Sequence, residues 1–485
     1  MWSALLQIET GPAVSRRTGL RQAVVAAIAE GRLAPGQRLP PSRMLAAELG
    51  IGRNTVVAVY DALIENGLLA AVPRQGIHVS PDAVSRTRRA LRRPAAALDW
   101  STQLARRPTR QRNIVKTPDW QSHPFPFVYG QVDPLLFPLP AWRSLSRAAL
   151  GRAAVNWWAA DHATADDPQL LDAIRRHVLA PRGILVRADE VLVTLGTQHG
   201  LYLLAALLAR AGTVFGVEDP GYPDARNIAE INGAQVRPLA VDEAGLRPDG
   251  RLDGVQVLVV TPGHHCPTMV TMPEARRRAL LGWSVAADAV VIEDDYEADA
   301  CIGSTPPLFS LDPGGRVVHL GSFSKVLAPG LRLGFMVGPA PLIEEARALR
   351  RLMHRSVPLN NQRAAALFLA EGHYGALLRR LSAALQRRRD AALTELDRRM
   401  PDFPRSAAES GSALWLRCPP GLPGPALFAA ASRRGVLVEP GEVFFATPGA
   451  GRDFFRLGLS SIPQERIPAG IAALADAAAE VVRQG

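Results

Sequence analysis

The sequence predicts a multidomain chain: a small helical head with a short β wing, a large α/β body on a mainly parallel sheet, and a smaller C-terminal α+β subdomain. Three observations predict it. Residues 12–79 hold short helical patterns closed by a hairpin-like pair of apolar runs. From about residue 125, apolar runs (EVLVTLG, VQVLVVTPG, AVVIEDDY, RVVHLGS) alternate with helical stretches such as HGLYLLAALLARAG, and that alternation favours a parallel sheet covered by helices. The length, 485 residues, exceeds one ordinary domain. The expected division is a head over 12–79, an Arg- and Pro-rich linker over 80–120, and a body over 121–485, whose large part ends near 340.

In the head, Leu20, Val24, Ala27 and Ile28 fall on one face of a helix from about Arg16 to Glu30. Ser42 is a good N-cap for a second helix holding Leu45, Ala46 and Leu49, and GIG supplies a tight turn. RNTVVAVYDALIENG reads as a third helix closed by Gly67, and LLAAVPRQGIHVS as two strands around Pro73–Gly76. Helix, helix, turn, helix, hairpin is the order of a winged helix-turn-helix, whose third helix enters the DNA major groove by its N-terminus. Arg53, Asn54 and Thr55 stand at that leading end: Arg suits a guanine edge, Asn an adenine edge, Thr a phosphate. Arg43, opening the second helix, suits phosphate, and Arg74 and Gly76 shape the wing.

Charge agrees with a polyanion at the front only. Residues 1–116 carry 18 basic residues against 7 acidic, the whole of the net +11, and the rest of the chain is balanced. No apolar run approaches the roughly 18 residues of a membrane span, and MWSALLQIET has neither a basic n-region nor a long apolar core. Cys266, Cys301 and Cys418 are scattered, with no CxxC. These features predict a cytoplasmic protein without a disulfide framework.

The body's chemistry turns on lysine. Of 56 basic residues only Lys116 and Lys325 are lysines. Arginine keeps its proton and cannot add to an aldehyde, whereas a lysine amine forms a Schiff base. Lys325, in HLGSFSKVLAPGLRLGF, therefore has a chemical reason to remain lysine; Lys116, in the Arg-rich linker, carries no such expectation. Ser322 and Ser324 flank it, and Arg332 offers a phosphate clamp. Strand, Gly196 and helix in VLVTLGTQHG would turn the N–H groups around Thr197 toward a phosphate. In AVVIEDDYEAD, period-two alternation puts Asp294 and Tyr296 on one face and Glu293 and Asp295 on the other. Asp294 suits a protonated pyridine nitrogen and Tyr296 the ring oxygen of pyridoxal 5′-phosphate. Tyr222 follows a strand on a Pro-Gly turn and could stack on the ring. No His cluster accompanies the acids, so no metal is expected.

LPPSRMLAAELGIGRNTVVAVYDALIENGLL resembles the GntR family of bacterial regulators, with Gly52 where that family usually carries a capping serine. EDDY and GSFSKVLAPGLRLGF resemble the fold-type-I aminotransferases. Together the two halves resemble the MocR (GabR-like) subfamily of GntR regulators. The resemblance implies Lys325 as the Schiff-base lysine, Asp294 and Tyr296 on the ring, Tyr222 stacked, and Gly196, Thr197, Ser322, Ser324 and Arg332 at the phosphate. It implies Arg456, in FFRLGLSSI, as the arginine that grips an effector carboxylate, and a head-to-tail homodimer on operator DNA. Cys266 falls where the aminotransferases carry an asparagine. The expectation is a regulator that senses an amino compound, or pyridoxal phosphate itself, through an internal aldimine on Lys325. The alternative is a working aminotransferase with an accessory DNA-binding head.

Overall fold

The computed structural model describes residues 2–6, 15–73, 75–81, 98–130, 132–162, 164–297 and 305–484. Arg74 and residues 82–97 of the expected linker lie outside the described residues. The chain forms two compact units, Met1–Ala105 and Arg106–Gly485.

In the first unit, α1 (Arg16–Ala29) starts where the Ser15 hydroxyl accepts the Thr18 N–H at 3.2 Å. It buries Leu20, Val24, Ala27 and Ile28, the face read from the spacing. α2 (Ser42–Leu49) has Ser42 as its first residue rather than its cap, because Pro41 holds the capping position, and it closes on Gly50 at φ +63°. α3 (Arg53–Glu65) is capped by Gly52, which makes no side-chain hydrogen bond, and buries Val56, Val59, Tyr60 and Leu63. Strands β1 (Leu69–Val72) and β2 (Gly76–Val79) pair antiparallel as the wing. One apolar core joins the three helices to both strands. Burying each large apolar side chain there contributes roughly 1.5–3 kcal/mol. The unit is a winged helix-turn-helix.

The second unit holds an eight-stranded sheet: β3 (Val191–Thr194), β4 (Val214–Asp219), β5 (Gln235–Asp242), β6 (Gly245–Leu246), β7 (Val257–Val260), β8 (Val290–Asp295), β9 (Val317–Ser322) and β10 (Gly334–Val337). Their order across the sheet is β3-β10-β9-β8-β7-β4-β5-β6. The pairs β9/β8, β8/β7, β7/β4 and β4/β5 are parallel. β10 runs antiparallel between β3 and β9. The strands are apolar on both faces because helices cover both. Leu192, Ile292, Val318, Leu320 and Met336 pack under α4 (Thr197–Leu208), while Val191, Val193, Phe335 and Val337 face the other layer. β3, β4, β7, β8 and β9 all end at one edge, at Thr194, Asp219, Val260, Asp295 and Ser322, the edge where α/β sheets bind ligands.

The helix Leu359–Ala370 and the first turns of His373–Arg399 pack on the large core with Val191 and Phe335, whereas the smaller C-terminal part contains the later turns of that long helix and an antiparallel sheet ordered β11 (Ala413–Arg417), β13 (Phe454–Gly458), β12 (Glu439–Pro440). Phe125–Pro126 pairs with Val436–Leu437, and Phe127 is buried in this part's core. The start of the body therefore packs with its end. Among the described residues no helix is long and apolar enough to cross a membrane.

Candidate functional site

At the carboxyl edge of the sheet lies a cavity of about 310 Å³. Gly196, Thr197, Tyr222, Asp294, Tyr296, Ser322, Ser324, Lys325, Arg332 and Arg456, read separately from the sequence, all line it.

One wall is built for an anion. Gly196 caps α4 at φ +98°, a conformation favoured by glycine, and a Cβ there would lie 3.5 Å from Arg332 Nη2. The first-turn N–H groups of α4 have no carbonyl partner within the helix. Arg332 itself sits at φ +51°, turned between the strand β10 and the lysine loop. The Ser322 hydroxyl accepts the Ser324 N–H at 3.1 Å, and Ser324 Oγ is buried with no partner. Helix N-terminus, guanidinium and hydroxyls together suit a phosphate.

The opposite requirement is met at the end of β8. Asp294 is 4% exposed and its Oδ1 has no hydrogen-bond partner. Burial, helped by Asp295 and opposed by a hydrogen bond from Thr197, pushes its carboxyl up to about 7. A buried carboxylate oxygen without a donor is a strong reason to expect a cationic N–H in that place. Glu293 and Asp295 face away from it, as the strand period requires. Glu293 accepts the Leu308 and Phe309 N–H groups, and Asp295 is paired with Arg182. With His319 these two acids form a compact buried cluster, whose carboxylates already have protein partners.

Tyr296 donates to the His264 carbonyl at 3.0 Å, and Tyr222, which caps the helix Pro223–Ile231, donates to Asp224 Oδ2 at 3.2 Å. Lys325 Nζ lies 4.7 Å over the Tyr129 ring. Burial first, then Lys116, pushes the Lys325 amine down to about 8. Arg456, 1% exposed, donates from Nε to Glu439 at 2.8 Å and is sandwiched by the rings of Tyr129 (3.9 Å) and Phe444 (4.7 Å). Its Nη1 is 3.9 Å from Cys266 Sγ. Glu439 takes the Nε edge of the guanidinium and Nη1 donates to Cys266 Sγ, while the guanidinium lines the cavity.

Several cavity residues were not foreseen. Lys116, to which the sequence attached no role, lines the same cavity, as do Tyr129, Gly130 and Asn113. The reason is that the second half of the expected linker packs on the body. Arg112 donates to the carbonyls of Phe445 at 2.8 Å and Ala446 at 2.6 Å, Gln111 to that of Asn227 at 2.9 Å, and Lys116 to that of Tyr129 at 2.8 Å. The rarity of lysine was the one available signal for Lys116.

In the head, Arg53 and Asn54 are exposed at the start of α3, Thr55 is half-buried beside them, and Arg43 is exposed in the first turn of α2. Gly76 opens β2 at φ +98°, where a Cβ would meet Arg38 at 3.3 Å. Arg43, Arg53, Asn54 and Gly76 belong to the first unit and the cavity's residues to the second.

Residues 163–474 match the family described as Aminotransferase class I and II, and residues 17–79 match Bacterial regulatory proteins, gntR family. The chain is 42% identical over 463 residues to the HTH-type transcriptional regulator TauR of Rhodobacter capsulatus, covering 94% of this chain and 95% of that one. It is 31% identical over 459 residues to the probable rhizopine catabolism regulatory protein MocR of Rhizobium meliloti, covering 92% and 90%. Among solved structures it is similar to LysN, the alpha-aminoadipate aminotransferase of Thermus thermophilus, complexed with N-(5'-phosphopyridoxyl)-L-leucine. The TM-score is 0.72 and the identity 26%, over 80% of this chain and all of that one.

Proposed function

We propose, from the premise that the chain belongs to the MocR-type GntR regulators, in which a helix-turn-helix head is fused to an aminotransferase class I and II body, that the cavity holds pyridoxal 5′-phosphate on Lys325 and that the head binds operator DNA in response to an amino compound. The observation that carries the reading is the pairing, in one cavity, of a lysine amine with a buried carboxylate oxygen that has no protein donor. The residues fit this coenzyme. Asp294 would meet the ring nitrogen, Tyr296 the ring oxygen and Tyr222 a ring face. Gly196, Thr197, Ser322, Ser324 and Arg332 would hold the phosphate. When bound, the coenzyme supplies an aldehyde carbon that accepts amines and a ring that withdraws electrons.

The chain's own residues do the rest. Lys325 presents an amine whose proton is already loosened by burial. Asp294 would set its carboxylate against the ring nitrogen, where a cationic N–H would favour the charged form of the carboxylate and keep the ring nitrogen protonated. Arg456, held in place by Glu439 and two aromatic rings, would turn its terminal nitrogens to an effector carboxylate, Nη1 exchanging its weak contact with Cys266 Sγ for it. In the head, Arg53, Asn54 and Thr55 read base edges and phosphate, with Arg43, Arg74 and Gly76 at the backbone. A head-to-tail homodimer would give two heads for two half-sites. An effector acts on DNA binding only through different affinities for two conformations of the protein.

The test pairs absorbance with DNA binding. Purified chain mixed with pyridoxal phosphate should develop a visible band that Lys325→Ala abolishes. An amino compound that alters the band should also alter affinity for the operator. A band unchanged by Lys325→Ala removes the reading. A second reading, a working aminotransferase, is favoured by the match to the full length of LysN. Multiple turnovers with amino donors and keto acids, unaffected by DNA, would select it.

A further inference from the structure

The cavity contains a second amine. Lys116 and Lys325 are the only lysines in the chain, and they approach one point from two different elements. A Cβ on Gly130 would lie 2.5 Å from Lys325 Nζ and 3.2 Å from Lys116 Nζ. Gly130 is at φ +74°, so both its backbone and its surroundings call for glycine. Lys116 enters on the segment pinned by Arg112, and its Nζ donates to the Tyr129 carbonyl, while the ring of the same tyrosine lies beneath Lys325 Nζ.

We propose that Lys116 is a positioning residue for Lys325: its ammonium, fixed on the Tyr129 carbonyl, repels the Lys325 proton and keeps that amine ready for an incoming aldehyde. The proposal deepens the coenzyme reading and rests on it for its use.

The charges around Lys325 leave this role to Lys116. Glu297, Glu439 and Asp294 are the acids that act on it, Arg456 and Lys116 the cations, with Tyr129, Tyr296 and Cys266 uncharged beside them. Glu439 is engaged by Arg456. Glu297 accepts the Tyr129 hydroxyl at 2.6 Å and the Ser412 N–H at 2.7 Å. Asp294 is pushed up to about 7 and carries only part of its charge at neutral pH. Arg456 has its own carboxylate. Lys116 has a carbonyl partner and, among the described residues, no carboxylate at ion-pair distance. Burial first and then Arg456 lower Lys116 too, and Glu439 opposes them in favour of its charged form. The Lys325 amine stands at about 8, with Lys116 the largest cause after burial. At pH 7 such an amine is neutral in roughly a tenth of molecules, against well under a thousandth for an unperturbed lysine.

Two lysines make the test direct, because lysine-selective ¹³C labelling yields two side-chain resonances. The coenzyme-free full-length chain is titrated through the alkaline range as wild type, Lys116→Gln and Lys116→Arg. Both variants keep a donor for the Tyr129 carbonyl, and each leaves Lys325 as the sole signal. Lys116→Arg should titrate near the wild-type value of about 8. Lys116→Gln should titrate higher by roughly one to two pH units, the effect of removing a like charge at this range. No shift in Lys116→Gln, or equal shifts in both variants, overturns the proposal. The coenzyme reading is judged separately, by the visible band of wild-type protein mixed with pyridoxal phosphate; its absence removes that reading and leaves the titration result standing.

Discussion

Replacing Asp294 with asparagine should stabilise the coenzyme-free chain and weaken its hold on the coenzyme. Asn keeps the shape and removes the charge. In the coenzyme-free chain the carboxyl stands at about 7 against 3.8 for an unperturbed aspartate, chiefly because it is buried. A group raised in the folded state contributes stability that is full below its unfolded value and is lost as pH climbs through its folded value. The window here runs from about pH 4 to pH 7, and above it the buried charge costs on the order of 4 kcal/mol. Asp294→Asn removes that cost, so the coenzyme-free variant should melt above wild type at pH 8 and close to it at pH 4. The same change deletes a charge-assisted hydrogen bond to the ring nitrogen, worth roughly 1.5–3 kcal/mol, so affinity for pyridoxal phosphate should fall roughly tenfold to a hundredfold. Thermal unfolding at the two pH values and an absorbance titration read both effects. A variant that binds the coenzyme as tightly as wild type, or melts lower at pH 8, refutes the reasoning.

Three other outcomes are expected. Arg456→Lys keeps the charge beside Glu439 but loses the guanidinium fork; the coenzyme band should persist while the affinity of an amino-acid effector, measured by spectral titration, falls roughly tenfold or more. Arg53→Ala should cost roughly 1–3 kcal/mol on the specific operator in a mobility-shift assay, and an equal loss on random DNA would reduce Arg53 to a phosphate contact. Gly130→Ala would drive a methyl to within 2.5 Å of Lys325 Nζ, the movable end of a flexible chain. It should therefore displace the amine and slow coenzyme capture in stopped-flow absorbance, with strain at φ +74° costing roughly 1–2 kcal/mol of stability.

What could be read from the sequence was governed by how local the determinants are. The helix α1 was legible because Leu20, Val24, Ala27 and Ile28 recur at the helical period, and β8 because Val290–Ile292 is an apolar run ending in acids. Asp294, Ser322, Ser324, Lys325 and Arg332 were legible as chemistry, since few side chains do what a lysine amine or a guanidinium fork does. That they share one cavity follows from the parallel order of β8 and β9, which brings their carboxyl ends together. Lys116 was missed because its segment has no periodicity of its own; contacts such as Arg112 with the Phe445 carbonyl hold it. The Glu439–Arg456 pair was missed for a similar reason, being set by the register of two short strands.

The measurement closest to the central claim is reductive trapping. The chain is incubated with pyridoxal phosphate, treated with borohydride, digested and mapped by mass spectrometry at its two lysines. The account predicts the coenzyme's mass on the peptide holding Lys325 and an unmodified Lys116. No adduct, or an adduct on Lys116 alone, would contradict it.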